Sequence, residues 1–328
     1  MTCKRIVAAL SFCVAAAAHG EDLKVITAAV LYETGLAAPS IELRSVSEDG
    51  AVWRGSINGW TFSLARERPV DRGRRVIMEI RATPYDAHSS RRMYRDGLRA
   101  PDLDFDDAAL SVRAGMRFRQ GEHGFIEPAL VIGDERIGGG APLALRNAWR
   151  SPYAGFAVTQ RIRFVTADDP FTNRIEGIDV TATAEAYHGN RTWMRAIAAE
   201  YGGVSAGRVH LQQTVAVFGG SGLDTVSAFL AGGSWDLLGP TAVYGTRYDE
   251  FRLLHRGLVA SAGADVDVTR GFALGARAGA LRSGSTHPTG AMLLATQRAG
   301  GFRIAAGVAR SRHRTTMTIT VIGAAFRP

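Results

Sequence analysis

Residues 315–328 read TTMTITVIGAAFRP, and most of this stretch alternates between two kinds of side chain. Its apolar residues are Met317, Ile319 and Val321. They alternate with the hydroxyl-bearing residues Thr316, Thr318 and Thr320. Because successive side chains of a strand point to opposite faces of a sheet, the stretch predicts a strand with a different environment on each face. The edge of a soluble sandwich and the wall of a membrane barrel both fit this pattern.

Segments with the same period of two recur through the chain, whereas helical periodicity is nearly absent. Five of the clearest are the alternations that start at Leu110, Phe156, Ile178, Val209 and Phe272. Strands of globular proteins average about five or six residues, but a tilted membrane strand needs about 9–11 residues to cross the hydrocarbon. The long segments therefore predict an all-β fold, a transmembrane antiparallel β-barrel whose polar strand faces point into the lumen.

The predicted barrel has about sixteen strands, an even number as single-chain bacterial barrels require. They are placed near residues 24–34, 39–47, 51–65, 73–83, 108–119, 125–134, 153–166, 174–187, 190–201, 207–218, 223–233, 251–267, 271–282, 287–298, 301–310 and 315–326. The last strand is expected to close the sheet against the first, with Phe326 as its terminal aromatic residue.

The connections between these strands set the orientation of the barrel. Turns at 188–190, 269–270 and 298–301 are short and fall on one side, which is taken as periplasmic because periplasmic turns are short. The segments 84–107 and 135–152 are long, although the strand count assigns them to that same side. Twelve or fourteen strands, with fewer in the N-terminal half, are therefore alternatives.

The first twenty residues predict an export signal. Lys4 and Arg5 precede an apolar run, and Ala18 and Gly20 offer a small-x-small cleavage pattern, so cleavage is expected after Gly20. This divides the chain into a signal peptide, 1–20, and an outer-membrane barrel, 21–328. No later stretch approaches 18 consecutive apolar residues, so no helical membrane span is expected and the outer membrane is the predicted location.

Composition limits the partners of the exported chain. Its net charge would be +6, which is the stated +8 less Lys4 and Arg5. Outer-membrane lipids with anionic headgroups fit a basic barrel, as does a merely solvated basic surface, whereas no aromatic-rich basic motif supports nucleic-acid binding. Both cysteines, Cys3 and Cys13, lie in the signal, so closure of the sheet must stabilise the fold without disulfides.

Charged residues also occur on the predicted inner faces. They are Arg113, Arg117, Arg161, Arg163, Arg208 and Arg277, with the acids Asp179 and Glu185. Rings of basic side chains favour anions, which predicts a passive, porin-like pore for small anionic solutes. A lumen in which the acids neutralise the arginines through salt bridges is the alternative that a barrel of this size favours.

One stretch carries a motif in addition to its periodicity. Residues 229–266 read FLAGGSWDLLGPTAVYGTRYDEFRLLHRGLVASAGADV, with a glycine-rich start and a V-x-G sequence in a long loop, and five predicted strands follow that loop. The arrangement resembles the late half of barrels in the BamA/TamA superfamily of outer-membrane assembly and translocation proteins, the bacterial surface antigens. The resemblance covers roughly the last hundred residues.

In that superfamily the loop folds back into the lumen and presents an arginine beside a glycine. The resemblance gives the lumen-loop candidates Val243, Tyr244, Gly245, Arg247, Asp249 and Glu250. Tyr244 stands at the arginine position, and Arg247, three places on, is the candidate substitute. An ordinary extracellular loop with turns at Gly239 and Pro240 is the alternative.

The resemblance also implies a role in outer-membrane protein assembly or translocation. The superfamily's periplasmic repeat modules are not recognisable ahead of the barrel, so either a separate periplasmic partner protein supplies them or the protein is a barrel retained without them.

No pattern supports catalysis, and neither an enzyme activity nor a cofactor or metal is expected. His88 stands beside Ser89 and Ser90, but neighbours on a strand point apart, and a nucleophile must reach its base. The eight histidines show no metal-ligand spacing.

Aromatic residues cluster near the predicted strand ends. They are Trp53, Trp60, Tyr153, Tyr187, Trp193, Tyr201 and Trp235. This distribution predicts an aromatic girdle at the membrane interfaces, with packing at the rim of a soluble sandwich as the alternative.

Overall fold

The computed structural model describes residues 23–33, 36–47, 49–58, 61–83, 94–95, 98–99, 106–138, 152–169, 174–223, 255–284, 287, 289–299, 302–311 and 315–322. Within these residues the secondary structure is β throughout, and sixteen strands form one closed antiparallel barrel. The all-β barrel predicted from the period-two segments is confirmed.

The strands of the first half are β1 (Leu23–Glu33), β2 (Leu36–Val46), β3 (Val52–Asn58), β4 (Thr61–Pro69), β5 (Arg74–Thr83), β8 (Asp106–Gln120), β9 (Gly124–Gly138) and β10 (Tyr153–Asp169). Between β5 and β8, β6 (Tyr94–Arg95) and β7 (Leu98–Arg99) form a small separate sheet. Those of the second half are β11 (Arg174–His188), β12 (Thr192–Ala206), β13 (Val209–Ser221), β14 (Arg256–Asp267), β15 (Phe272–Arg282), β16 (Thr289–Ala299), β17 (Phe302–Ser311) and β18 (Thr315–Ile322). Each barrel strand pairs with the next along the chain, and β18 pairs with β1.

Two predicted strands differ from the structure, and their effects on the strand count cancel. The predicted strand at 51–65 is two strands, β3 and β4, whose last register pair is Asn58 with Thr61. Each register pair joins an even-numbered residue to an odd-numbered one, so the alternation changes phase between β3 and β4, and the prediction of one strand overlooked this change. The predicted strand at 223–233 lies outside the described residues beyond Leu223, but β13 pairs directly with β14, so no barrel strand separates those two.

With the strands in this order, the three longest connections all lie at the same end of the barrel. At one end of the barrel, here called the short-turn end, the strands are joined by 47–51, 70–73, 121–123, 170–173, 207–208, 268–271 and 300–301. At the opposite, long-loop end lie the three longest connections, 84–105, 139–152 and 222–255. The placement of 84–107 and 135–152 on the side of the short turns was therefore wrong. The turn at 189–191 also belongs to the long-loop end, which corrects its predicted grouping with 269–270 and 298–301.

Turns at the short-turn end are fixed by short-range hydrogen bonds. Asp71 accepts hydrogen bonds from the side chain and backbone of Arg74 and from the backbone N–H of Gly73, and together these hold the pKa of Asp71 below its ordinary value. Gly50, Gly121 and Gly207 have φ of 75°, 62° and 61° in three of these turns, a region that side chains with a Cβ rarely adopt. These turns therefore set the register of the strands on either side.

The exposed outer face of the sheet is apolar and its buried inner face carries polar residues, the reverse of the arrangement in a soluble protein. Along β13, Val209, Leu211, Val215 and Val217 are exposed, whereas the alternate residues, including His210 and Gln212, are buried. Elsewhere on the same outer face Leu130 and Leu293 are 64% and 68% exposed. A soluble sandwich buries its apolar faces, so this arrangement favours a barrel surrounded by lipid.

Candidate functional site: the lumen wall and the closing seam

The inner face is identified by ion pairs that pass over intervening strands. Arg174 on β11 contacts two residues of β14, with Nε 3.5 Å from Asp265 Oδ2 and Nη1 2.9 Å from Asp267 Oδ1. Since β12 and β13 lie between, the two strands are about 14 Å apart along the wall, and only the concave side brings their side chains together. The face that carries Arg174 and Asp265 therefore lines the lumen.

The first charged cluster on this wall, the Glu67–Glu127 cluster, is built around two buried carboxylates. Glu67 and Glu127 are 4% and 6% exposed. Arg113 donates from Nη2 to Glu127 Oε1 at 2.9 Å, and Arg117 donates to Glu127 Oε2 at 2.8 and 3.0 Å. The remaining Nη1 of Arg117 reaches Glu67 Oε2 at 3.2 Å, so this one guanidinium joins both carboxylates.

Two further arginines complete the cluster. Arg54 forms an ion pair with Glu67, and Arg75 Nη1 lies 4.0 Å from Glu67 Oε2. Four arginines thus face two glutamates, which leaves two positive charges in excess. A buried carboxylate would be costly alone, and the surrounding guanidinium groups offset that cost with opposite charge and hydrogen bonds.

A second group of charges lies along β10, β11 and β12. Asp179 accepts from Arg161 Nε at 2.8 Å and contacts Arg163 Nε at 3.1 Å. Glu185 forms an ion pair with Arg195, whose guanidinium also stands 5.3 Å from the ring centre of Trp193. Each carboxylate of this group is therefore engaged by arginine.

The third group surrounds Asp265. Arg174 and Arg277 both approach Asp265 Oδ2, each at 3.5 Å. The amide of Gln212, in the orientation that satisfies both of its polar atoms, accepts from Arg277 Nε at 2.6 Å and donates to the Tyr201 hydroxyl at 3.1 Å. These contacts form one buried polar network across β11 to β15.

The predicted lumen-facing residues are thus distributed as follows. Arg113, Arg117, Arg161, Arg163, Arg277, Asp179 and Glu185 stand in the three ion-paired groups, and Arg208 is an exposed residue of the turn between β12 and β13. Sequence reasoning missed Glu67, Glu127, Arg174 and Asp265. For Glu67, Glu127 and Asp265 the signal was the same period of two, since each lies an even number of residues from another inward-facing residue of its strand. Arg174 gave no such signal, because it lies an odd number of residues from Asp179 and the register of β11 shifts beside Gly177.

The loop residues taken from the resemblance, Val243, Tyr244, Gly245, Arg247, Asp249 and Glu250, lie outside the described residues, as does Phe326. The strand that carries Met317, Ile319 and Val321 is β18, and it pairs with β1. Within the described chain this seam consists of five residue pairs, Ala29 to Glu33 with Thr318 to Ile322. The neighbouring β17–β18 and β1–β2 pairings have eight and ten.

The predicted aromatic girdle is wrong for four of its members. Tyr153, Tyr187 and Trp193 pack together on the lumen wall at the long-loop end, where Tyr187 and Trp193 are each 5% exposed and their ring centres stand 4.2 Å apart. Tyr201 also faces inward, toward Gln212. Position near a strand end does not determine which face a residue occupies. Trp53 is exposed on the outer face, and Trp60 and Trp235 fall outside the described residues.

Glycines make room for this aromatic cluster. Tyr153 on β10 lies opposite Gly133 on β9, and Tyr187 on β11 lies opposite Gly155 on β10. A Cβ on either glycine would collide with the ring of its partner tyrosine, and one on Gly155 would also meet the carbonyl oxygen of Ala186. Each ring therefore lies flat over the backbone of the preceding strand, and the cluster requires glycine at both positions.

A serine, a histidine and a carboxylate do meet near the short-turn end, but not in a catalytic arrangement. The Ser205 hydroxyl lies 2.9 Å from Nδ1 of the buried His210, and Glu176 Oε1 lies 3.4 Å from that same nitrogen. A Ser–His–acid triad needs the serine and the acid on opposite ring nitrogens. The pair of His88 with Ser89 and Ser90 lies outside the described residues.

Two features are absent from the described residues. Those residues contain no group of three or more histidine, cysteine, aspartate or glutamate side chains placed to hold a metal ion. Nor do they contain a helix long and apolar enough to cross a membrane.

Comparison with known proteins rests on structure, since no protein-family model and no curated protein sequence matches the chain. A BamA from Haemophilus ducreyi that lacks POTRA domains 1–3 superimposes with a TM-score of 0.67 over 93% of this chain and 71% of that one, at 8% identity. The chain shares the BamA barrel fold. CdiB from Acinetobacter baumannii superimposes with a TM-score of 0.62 at 9% identity over 92% of this chain.

The chain spans 59% of the length of CdiB, so the BamA-type barrel is the part that the proteins have in common. At 8% and 9% identity the likeness shows the fold alone.

Proposed function

We propose that the protein is an exported, integral outer-membrane β-barrel that acts without catalysis in the assembly or translocation of other proteins. Residues 1–20 would serve as its cleaved signal peptide. The BamA-type fold and the exposed apolar outer face support an outer-membrane location. The observation that carries the proposal is the seam between β1 and β18, which has five residue pairs within the described part of the chain.

Among the described residues the seam has five residue pairs, against eight and ten for the two neighbouring boundaries. Each backbone hydrogen bond contributes about 0.5–1.5 kcal/mol net, so this described part of the seam would separate at a lower cost than the described part of either neighbour. Opening it would expose the unpaired edges of β1 and β18, and an exposed edge pairs readily with an incoming strand. A client strand could therefore be received there.

A disulfide across the seam tests this role. Val30 on β1 and Val321 on β18 are register partners, and directly opposed residues have the Cα separation that a disulfide requires. The matched control keeps Val321→Cys and pairs it with Ile304→Cys on β17, which is also a register partner of Val321. Both variants carry one disulfide on the same residue of β18, but only one of them locks the seam.

The expected result is loss of function in oxidised Val30→Cys/Val321→Cys, restored by a reductant, with normal function in oxidised Ile304→Cys/Val321→Cys. Function is measured as the outer-membrane content of other barrels and surface-exposed proteins, compared with a strain that lacks the gene. Full activity of the locked seam would contradict the proposal.

Two partners belong to the proposal. Outer-membrane lipids would cover the apolar outer face, and a separate periplasmic protein is the proposed protein partner. The loop residues 243–250 are proposed to fold back into the lumen, with Arg247 facing the acidic groups of the wall. Arg247→Ala should then lower heat resistance or abolish function, and unchanged mobility together with unchanged function would count against a lumen role.

The second candidate is a passive pore for small anionic solutes. It is favoured by the excess positive charge of the Glu67–Glu127 cluster, since an arginine-rich lumen attracts anions. Conductance in planar bilayers, with reversal potentials that show anion selectivity, would support the pore. An unchanged outer-membrane proteome in the gene-deleted strain would add to that case.

A further inference from the structure

Two arginines lie on the outer face of the barrel, near the short-turn end of β4. Glu67 points into the lumen, so its neighbours Arg66 and Arg68 lie on the opposite, outer face. Both arginines are exposed, and Met78, the register partner of Arg66 on β5, is 56% exposed on the same face. The two arginines therefore adjoin the apolar wall that faces the lipid.

Their position along β4 places them at the border of the membrane. Arg66 and Arg68 lie three residues and one residue before Pro69, which ends the strand. In a tilted strand this puts both within about 8 Å of the strand end, measured along the membrane normal. The headgroup region of one leaflet is about 5–8 Å thick, and long arginine side chains extend toward it. Both guanidinium groups can therefore reach the lipid headgroups.

Trp53 on β3 completes this group, here called the Arg66–Arg68 patch. It is exposed and is the register partner of Arg66, whose guanidinium carbon lies 5.0 Å from the centre of a Trp53 ring. Tryptophan is enriched where a membrane protein crosses from hydrocarbon to headgroups. Since a guanidinium stacks through its face and donates through its edge, Arg66 can contact the ring and an oxyanion together.

The charges around the patch sum to a positive value. The charged residues that the structure describes at this end of β3, β4 and β5, apart from those that face the lumen, are Arg66, Arg68, Arg72, Arg74, Asp49 and Asp71. Their net charge is +2. Arg74 neutralises Asp71, and Asp49 is held in its own turn by the Ser47 hydroxyl and by the Ala51 N–H at 3.0 Å. The positive excess therefore belongs to the other three arginines.

The spacing of Arg66 and Arg68 suits a phosphate group. The two residues share one face of a strand, so their Cα atoms are about 6.7 Å apart and their like charges repel. A phosphate between the two guanidinium groups would offset this repulsion and accept hydrogen bonds from both.

We propose that the Arg66–Arg68 patch binds the headgroup of an anionic phospholipid in the leaflet at the short-turn end. The adjoining Met78 side chain would contact the acyl chains, which a soluble phosphate ester lacks. The inference rests on the membrane location proposed above and is independent of the assembly or translocation role.

The test uses the purified full-length barrel in an uncharged detergent, with equal amounts of phosphatidylglycerol or phosphatidylcholine that carry the same acyl chains. Native mass spectrometry counts the lipids that each barrel retains and gives the Kd of the first. The variant Arg66→Gln/Arg68→Gln removes two charges from the patch. The matched control, Arg208→Gln/Arg270→Gln, removes two exposed charges from turns at the same end of the barrel.

Wild type and the control variant should retain phosphatidylglycerol in preference to phosphatidylcholine. The patch variant should bind phosphatidylglycerol about thirtyfold more weakly, since each basic residue near an anionic surface contributes about fivefold. Equal retention of the two lipids by wild type, equal affinities of the patch variant and the control, or displacement of the lipid by soluble glycerol phosphate would overturn the headgroup site. Retention of neither lipid by wild type would overturn the membrane location as well.

Discussion

At the scale of single residues, the lumen wall depends on a few buried carboxylates that each hold several arginines. Glu127 is the clearest, because Arg113 and Arg117 both bind it and Arg117 continues to Glu67. Sequence reasoning identified the arginines but not their acids. Arg113 and Arg117 stand in a long, clear alternation, whereas Glu67 lies beyond the predicted end of its strand at residue 65.

Replacing Glu127 with glutamine should destabilise the barrel by about 3 kcal/mol, because the two arginines would lose the charge that compensates their burial. The free energy of unfolding in urea, followed by tryptophan fluorescence, measures the change. Glu122→Gln, in the exposed turn between β8 and β9, is the control and should leave the free energy of unfolding within about 0.5 kcal/mol. Equal effects of the two variants would refute the role assigned to Glu127.

Asp71 gives a prediction for acid pH. Hydrogen bonds from Arg74 and Gly73 lower its pKa in the folded state, so the stabilisation that they provide is complete above the ordinary value of 3.8 and is lost as the pH falls through the lowered pKa. Amide hydrogen exchange of Gly73 and Arg74 should accelerate below that point, relative to amides of the turn at 121–123. Asp71→Asn should remove the pH dependence, and its persistence in that variant would contradict the assignment.

At the scale of strands, period-two alternation was a sufficient guide to most of the sheet. Strands β10 to β13 and β15 to β17 were placed within a few residues by it, since exposed and buried side chains alternate along them. The hairpin between β3 and β4 was missed, although the alternation changes phase there, within the single strand predicted at 51–65. The girdle prediction used position near a strand end instead of this alternation, although Tyr187 lies an even number of residues from the inward-facing Asp179 and Glu185.

The glycines opposite the tyrosines give a prediction at this scale. Gly155→Ala should destabilise the β10–β11 pairing by about 1–3 kcal/mol, because its Cβ would collide with Tyr187 and the Ala186 carbonyl. The urea midpoint and the near-ultraviolet circular dichroism of the aromatic cluster should both change. Gly55→Ala is the control, since a Cβ there meets nothing within 4 Å. A normal aromatic signal in Gly155→Ala would show that the close fit is not required.

At the scale of the whole molecule, the closed sheet and its apolar exterior belong together. A barrel without free edges is kept intact by backbone pairing all round, so it should resist detergent until heated. The fold could be predicted from the sequence because one face of nearly every strand is apolar. The candidate site could be predicted only in part, since ion pairs such as Arg174 with Asp265 join strands far apart in the chain.

Unboiled protein in sodium dodecyl sulfate should migrate faster than boiled protein, because the closed barrel stays compact in the detergent. The measurement is an electrophoretic comparison of the two samples, with heating at several temperatures to give the transition. A soluble β-sandwich treated in parallel provides the control, and equal mobility of the two barrel samples would contradict a closed, detergent-resistant barrel.

The unequal ends of the barrel also have an evolutionary consequence. Each of the seven short connections fixes the register of two strands, so a residue gained or lost there would shift a whole strand by one position and exchange its lipid-facing and lumen-facing sides. The connections 84–105, 139–152 and 222–255 are long, and the closure of a long loop changes little in free energy when one residue is gained or lost. Lineages that descend from this sequence should therefore vary in length almost entirely at one end of the molecule, the end where new surface properties can be acquired without rebuilding the wall.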